Sequence, residues 1–226
     1  MAGKKFKSVK TLVDNKKIYP VEEAVALAKK TSTTKFDSSI DIVIKLNLDT
    51  TKAEQQLRGT IALPHYFGKS KRVLLISSDV TKEQAEAAGA DYFGESDKIA
   101  DIKNGWLDFD VIITTPKFMP ELSKLGKILG PKGLMPNPKL GTVTPKPLDA
   151  VKEFKKGKMN YRTDTYGNIH MTVGKASAAN EKIVENIDAL VNFIKSKRPS
   201  TVKGDYIQKI YLSSTMGPSI KVAFEK

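Results

Sequence analysis

The stretch Lys71-Arg-Val-Leu-Leu-Ile-Ser77 decides the fold of this chain of 226 residues. Its central run, Val73-Leu-Leu-Ile76, is continuously apolar, which is typical of a strand buried on both faces of a parallel sheet. A second apolar run follows at Val111-Ile-Ile113, and helices are predicted around these strands over 81–88, 96–103 and 120–128. Strands that alternate with helices predict right-handed βαβ units in three layers.

The sequence on both sides of this region has another periodicity. Over 40–48, apolar residues alternate with mostly polar ones, as expected of a strand with one buried and one solvent-facing side. Neither flank alone holds enough predicted strands and helices for a complete domain. We therefore predict an α/β protein of two domains: a composite α+β domain built from both termini, residues 1–64 and 159–226, and an inserted Rossmann-like, three-layer βαβ domain, residues 65–158.

The charge of the chain predicts a polyanionic partner. Lys and Arg total 38 against 25 Asp and Glu, a net charge of +13. Within the insert, residues 117–158 hold 10 basic and 3 acidic groups, whereas residues 77–110 hold 3 basic and 9 acidic groups. Of the two polyanionic partners, we expect nucleic acid rather than a membrane surface. Because no apolar stretch approaches the length of a membrane span, we predict a cytoplasmic protein.

Composition and motif spacing argue against several kinds of site. Without cysteine, disulfides and thiolate chemistry are excluded, and with two histidines a His-rich metal centre is not expected. Gly68-Lys-Ser70 lacks the earlier glycine of a phosphate loop, and no G-x-G-x-x-G is present. Gly130-Pro-Lys-Gly133 fits the clamp of KH domains, but the prolines after it prevent a second helix. We predict no catalytic residue, metal or cofactor.

Three segments carry candidate RNA contacts. Lys35-Phe-Asp-Ser-Ser39 places a ring between a cation and short polar groups, and Ser213-Ser-Thr-Met-Gly-Pro218 offers hydroxyls, backbone groups and a flexible apolar side chain. Such groups bind 2′-hydroxyls and pack on a base or sugar, although these clusters also form ordinary turns. The segment 126–146 combines Gly and Pro with lysines, which indicates either an irregular surface loop or a shaped loop that contacts phosphates.

Several motifs together resemble the ribosomal protein L1 family of the large subunit, in its bacterial type. The most specific is Leu129-Gly-Pro-Lys-Gly-Leu-Met-Pro-Asn-Pro-Lys-Leu-Gly-Thr-Val143. The others occur in the family's order and are Arg58-Gly-Thr-Ile-Ala-Leu-Pro64, Ala88-Gly-Ala-Asp91, Gly174-Lys-Ala-Ser177 and Ser214-Thr-Met-Gly-Pro218. The resemblance covers almost the whole chain. It implies the same two-domain fold, with an inserted domain that has no nucleotide role.

The resemblance also implies a function. The family binds the rRNA of the mobile stalk, assists release of deacylated tRNA from the exit site and, in bacteria, represses translation of its own operon mRNA. By motif position, the implied rRNA and mRNA contacts are Lys35, Phe36, Asp37, Ser214, Thr215, Met216 and Gly217, with Arg162, Asp164 and His170 flanking the same surface. The loop residues expected to face tRNA are Lys127, Lys132 and Lys139. We expect a monomer away from the ribosome and no membrane partner.

The sequence departs from the family pattern at two places. Tyr66 and Phe67 follow His65 where the family usually has glycine, at the predicted hinge, and Ala178 stands where it commonly has phenylalanine.

The residues alone leave two other functions open. An α/β enzyme would bind a nucleotide at the strand ends of the insert. A generic single-strand binder would instead carry several aromatic residues along a basic groove.

Overall fold

The computed structural model describes residues 3–14 and 16–224, which form helices and strands. In chain order the elements are α1 (Lys4–Lys10), α2 (Val21–Lys30), β1 (Ser39–Leu46), β2 (Arg58–Ala62), β3 (Val73–Ile76), α3 (Lys82–Ala88), β4 (Tyr92–Gly94), α4 (Ser96–Lys103), β5 (Val111–Thr114), α5 (Met119–Lys124), α6 (Gly126–Leu129), α7 (Pro147–Lys155), β6 (Lys158–Arg162), β7 (Asn168–Lys175), α8 (Asn180–Ser196), β8 (Ile207–Ser214) and β9 (Ile220–Val222).

The chain forms two units. The composite unit comprises the described residues of Met1–Phe67 and Tyr161–Lys226, and the inserted unit comprises Gly68–Asn160. These boundaries differ by three and by two residues from the domain limits expected from the sequence. The first segment ends after Phe67 because the next strand, β3, pairs with strands of the inserted unit.

The composite unit is built on an antiparallel sheet of four strands in the order β7-β1-β8-β9. Every second residue of β1, from Ile40 to Leu46, is buried, while the residues between them are partly exposed. Helices α2 and α8 pack together and against the buried face. Helix α8 presents a stripe of aliphatic residues that are at most 1% exposed: Ile183, Ile187, Leu190 and Ile194. The alternation of the sequence therefore reflects one covered face.

The inserted unit has three layers around a parallel sheet in the order β4-β3-β5. All four residues of β3 are buried. Val73 and Leu75 pack with residues of α3 and α7, whereas Leu74 and Ile76 pack with residues of α4 and α5. The run is continuously apolar because helices cover both faces of the strand. The predicted mixed α/β fold class is confirmed.

Three helical segments differ from the sequence expectations. The single helix expected over 120–128 is two short helices, because Leu125 bonds through its N–H to Leu122, three residues back, and its backbone leaves helical geometry before Gly126. The sequence pattern does not indicate α1 or α7. Helix α7 has a short apolar stripe that lies hidden among its lysines, formed by Ala150, Val151 and Phe154.

Candidate nucleic-acid interface

The face of the four-stranded sheet opposite α2 and α8 carries cations and polar groups around an aromatic ring. It is formed by the partly exposed residues of β1 and by their neighbours on the adjacent strands. The rows across the strands are His170–Val43–Tyr211–Lys221, Thr172–Asp41–Ser213 and Asn168–Lys45–Lys209. Neighbouring strands lie about 5 Å apart, so these groups form a closely spaced polar surface that suits phosphates and sugars.

The turn between β8 and β9 is tied to the start of β1. The Thr215 N–H donates to Ser39 O at 3.0 Å, and the Thr215 hydroxyl accepts from Ser39 N–H at 3.0 Å. The next residue, Met216, has a φ of 66°, a conformation that costs a non-glycine residue roughly 1–3 kcal/mol. Its side chain is 73% exposed. The turn therefore presents a methionine to solvent from a strained, fixed backbone, a combination common at binding sites.

Ser214 is covered in the same turn, and Gly217 packs against it. Only 3% of Ser214 is exposed, and its hydroxyl has no hydrogen-bond partner within the described residues. A Cβ on Gly217 would collide with that hydroxyl. In this structure the Ser214 side chain faces inward, so the RNA contact expected of its hydroxyl requires the turn to open and stays a prediction.

The loop before β1 separates residues that face solvent from one that holds the loop. The side chains of Lys35 and Phe36 face solvent, and Phe36 is 62% exposed. The Thr34 hydroxyl donates to Phe36 O at 3.0 Å. Asp37 is exposed as well, but its carboxylate accepts from the N–H and the hydroxyl of Ser177 at 3.1 and 2.8 Å. Asp37 therefore positions the loop, while Lys35 and Phe36 are available to a ligand.

Asp164 organises the hairpin turn between β6 and β7. Its Oδ1 accepts from the N–H groups of Tyr166 and Asn168 at 2.9 and 2.7 Å, and its Oδ2 lies 3.2 Å from Nε2 of His170. Burial acts to raise the pKa of Asp164, but hydrogen bonds, those from Asn168 foremost, outweigh it and lower the pKa to about 2. Arg162 and His170 are exposed. Of this predicted trio, Asp164 shapes the turn and the two basic residues face solvent.

The predicted contacts of the composite unit lie towards opposite ends of β1. Ser39, at the start of β1, is bound to Thr215. Lys45, near its end, pairs with Asn168, the residue after the hairpin turn. Six residue steps of strand span about 20 Å. The structure therefore brings the Phe36 loop and the Met216 turn to one end of the sheet and the Asp164 turn to the other.

Sequence reasoning missed the side chains that lie between these two groups. Lys45, Lys209, Tyr211 and Lys221 belong to the same face of the sheet. For Lys45 a signal exists, because the alternation over 40–48 marks it as solvent-facing. The others could be assigned to this face only once the pairing of the strands was known.

The lysine-rich loop of the inserted unit follows a fixed path. Asn137 N–H donates to the Thr142 hydroxyl at 2.7 Å, and that hydroxyl donates back to Asn137 O at 3.1 Å. Gly141 has a φ of 66°, in the region that favours glycine. The three predicted tRNA-facing residues are all exposed: Lys127, Lys132 and Lys139. The Gly and Pro residues therefore present these cations on an ordered surface.

The two departures from the family pattern meet within the composite unit. Tyr66, Phe67 and Ala178 all line one groove of about 440 Å³. The rings of Tyr66 and Phe67 stack with their centroids 6.3 Å apart. Both departures from the family pattern therefore change the lining of the same groove.

The described part of the chain presents groups that suit RNA. Within residues 3–14 and 16–224, no three acidic or histidine side chains lie close enough together to hold a metal ion. No helix in those ranges has both the length and the apolarity to cross a bilayer. The composite unit instead presents cations, hydroxyls and exposed apolar side chains on fixed turns, which are the groups that contact phosphates, 2′-hydroxyls and bases.

Comparison with known proteins identifies similar chains. Residues 28–218 match the model of the Ribosomal protein L1p/L10e family. A protein of Mycoplasmoides gallisepticum described as large ribosomal subunit protein uL1 is 65% identical over 221 residues, 97% of this chain and 96% of that protein. Proteins with the same description from Mycoplasma genitalium and Mycoplasma capricolum subsp. capricolum are 59% identical over 220 residues (97% and 96% of the two chains) and 52% identical over 223 residues (98% of each).

Proposed function

Because this chain belongs to the Ribosomal protein L1p/L10e family, we propose that its composite unit binds the rRNA of the mobile stalk of the large subunit. The family match confirms the resemblance inferred from the motifs. The protein is a ribosomal protein that binds rRNA, not an enzyme. The proposal adds to this the RNA element, the residues that contact it and two further RNA partners.

The observation that carries the proposal is the pair of anchored segments at the start of β1. The Phe36 loop is held by Asp37 and Ser177, and the Met216 turn is held by Thr215. Both leave a large apolar side chain on the surface, since Phe36 is 62% exposed and Met216 is 73% exposed. Prearranged apolar groups beside backbone amides suit the bases and sugars of a folded RNA.

Affinity and specificity come from different groups on this surface. The cations of the sheet face, among them Lys45 and Lys209, neutralise phosphates and make binding depend on salt. The fixed ring of Phe36 and the turn around Thr215 and Met216 contact bases and 2′-hydroxyls, which depend on RNA shape. One surface cannot hold two RNAs at once. A leader of the operon mRNA that copies the rRNA site would therefore compete for it, which is the basis of the proposed translational repression.

The inserted unit is proposed to face exit-site tRNA through its lysine-rich loop. Lys127, Lys132 and Lys139 are exposed on an ordered backbone, and segment 117–158 holds 10 basic against 3 acidic residues. Cations at fixed positions attract a phosphate backbone without reading its sequence. This loop would therefore assist tRNA movement by charge rather than by base recognition.

We expect Thr215→Val to lower affinity for stalk rRNA about ten-fold while leaving binding to an unrelated structured RNA unchanged. Valine keeps the shape of the side chain but removes the acceptor of the Ser39 N–H, which costs about 1–3 kcal/mol when such a group is left unpaired. Fluorescence anisotropy with both RNAs at two salt concentrations measures the effect. Thr201→Val, at an exposed threonine outside both turns, is the matched control.

The outcome separates recognition of one folded RNA site, the specific-clamp proposal, from charge-driven binding to any RNA. If wild-type protein and Thr215→Val bind both RNAs alike, the specific-clamp proposal fails. Unlabelled leader RNA from the operon, added to the same titration, should displace the stalk rRNA from the wild-type protein. Simultaneous binding of both RNAs would contradict the competition on which the proposed repression rests.

Replacing Lys127, Lys132 and Lys139 together by alanine is expected to weaken tRNA binding and to leave stalk rRNA affinity unchanged. Each lost phosphate contact should reduce the slope of log K against log salt by about 0.9 for duplex RNA regions, taking the DNA value as a guide. The control is Lys82→Ala with Lys103→Ala, which removes exposed lysines from the acidic segment of the same unit. Equal loss of tRNA binding in both variants would count against a role for the loop.

The alternative of a nucleotide-binding α/β enzyme is overturned by the family to which the chain belongs. The parallel sheet predicted for the inserted domain had suggested this alternative, because parallel sheets bind nucleotides at the carboxyl ends of their strands. Topology alone does not decide this, since phosphate binding at those ends depends on a glycine-rich turn that the sequence lacks.

A further inference from the structure

The hairpin turn between β6 and β7 displays an aromatic ring that the fold itself does not use. Tyr166 is 76% exposed, more than either Met216 or Phe36. Within the described ranges its ring joins no aromatic pair and lies under no cation. Exposing a large ring forgoes the free energy of burying it, so the folded protein gains nothing from the ring at this position.

The backbone that carries this ring is held firmly on both sides. The Tyr166 N–H donates to Asp164 Oδ1 at 2.9 Å, and the same oxygen accepts from Asn168 N–H at 2.7 Å. Lys45 Nζ donates to Tyr166 O, and Gly167 N–H donates to Asp164 O at 3.2 Å. Only the two side-chain torsions of Tyr166 are left to be fixed by a ligand, so the entropic cost of using the ring is small.

The ring stands at the end of the sheet opposite the Phe36 loop. Lys45, which binds the Tyr166 carbonyl, lies six residues along β1 from Ser39, a distance of about 20 Å. Lys209 pairs with Lys45, so two cations lie on the sheet beside the turn that carries the ring. A solvent-facing ring on a turn with lysines beside it is a combination that can stack on a base while the adjacent phosphates are neutralised.

We propose that Tyr166 stacks on a base of the bound RNA, so that the RNA-binding surface has an aromatic contact at each end of the sheet. This inference rests on the function proposed above and extends its site by a residue outside the matched motifs. Stacking tolerates any base, so the contact contributes affinity and holds the RNA in register along the sheet. An exposed apolar ring alone would suit a protein partner equally well. The cations beside it favour RNA.

The test compares Tyr166→Leu, which keeps an apolar side chain without a ring, with Tyr166→Phe and Tyr166→Trp, which keep the ring. Leucine should weaken stalk rRNA binding about ten-fold, whereas phenylalanine and tryptophan should stay within about two-fold of the wild type. The slope of log K against log salt should not change, because no charge is removed. The emission of the introduced tryptophan should fall when RNA binds, a signal measured against the wild type, whose sole tryptophan is Trp106.

Two results would overturn the inference. One is wild-type affinity of Tyr166→Leu, and the other is an equal loss in the phenylalanine and leucine variants, which would implicate the hydroxyl or the turn instead of the ring. Unchanged amide shifts of Asn168 show that the turn is intact in each variant. If Thr215→Val loses preference for stalk rRNA and Tyr166→Leu binds it with wild-type affinity, the proposed function stands and this inference fails. If the wild type itself does not prefer the stalk rRNA, both fail.

Discussion

Gly217→Ala is expected to weaken stalk rRNA binding by about ten- to a hundred-fold, without unfolding the composite unit. The new Cβ collides with the hydroxyl of Ser214, and Ser214 is buried, so either that side chain or the turn has to shift. Holding the turn in its native geometry against the new Cβ costs about 1–3 kcal/mol. Because the proposed RNA contact needs that geometry, the cost is subtracted from binding, and each 1.4 kcal/mol lowers the binding constant ten-fold. Anisotropy titration with labelled stalk rRNA measures the loss, and circular dichroism checks the fold.

A double variant identifies the collision as the cause. Ser214→Ala removes the hydroxyl that the new Cβ meets, so Ser214→Ala with Gly217→Ala should recover most of the lost affinity. Ser214→Ala alone should bind within about two-fold of the wild type, because its hydroxyl has no partner among the described residues. Failure of the double variant to recover would contradict the steric explanation. A loss in Ser214→Ala alone would mean that the hydroxyl reaches RNA after the turn opens.

Asn186→Leu is expected to lower the free energy of unfolding of the composite unit by about 3 kcal/mol. The Asn186 side chain is 2% exposed and accepts from His65 N–H at 2.9 Å. Its amide nitrogen donates to His65 O and to Val173 O, both at 2.9 Å. Leucine fills similar space but leaves three backbone groups without partners. Urea unfolding followed by circular dichroism, with hydrogen exchange at the His65 amide, measures the change.

The matched control lies on the same helix. Asn192 is exposed on α8, so Asn192→Leu should change the free energy of unfolding by less than about 0.5 kcal/mol. The His65 amide should lose its protection in the Asn186 variant and keep it in the control. Comparable stability of the two variants would mean that His65 and Val173 find other partners, and that Asn186 does not fix the segment that follows Leu63.

The strands and long helices were predictable because their signals are local. The alternation of Ile40, Ile42 and Ile44 shows one buried face, and the unbroken run at β3 shows two. Helix α8 has the length and apolar stripe that make a helix visible in sequence. Helix α7 has only nine residues, and lysines on its solvent-facing side interrupt the apolar stripe in the sequence. Its helical periodicity is therefore hard to recognise.

The candidate site was predictable only in part, for a related reason. Residue type and family motif single out Phe36, Thr215 and Met216, and the structure exposes the ring and the methionine on fixed turns. Residue type does not tell whether a polar group faces the ligand or the protein. Asp37 binds Ser177, and Ser214 lies beneath Gly217.

The sequence by itself predicted which residues of β1 and β3 are buried, that a three-layer unit interrupts a composite one, and that the chain suits a polyanion. These follow from periodicity, order and charge, which are properties of neighbours along the chain. Only the tertiary structure decided that Lys209 shares a face with Lys45 and that Thr215 closes on Ser39. Such pairs join residues as far as 176 positions apart, and strand register, set by the packing of the whole sheet, brings them into contact.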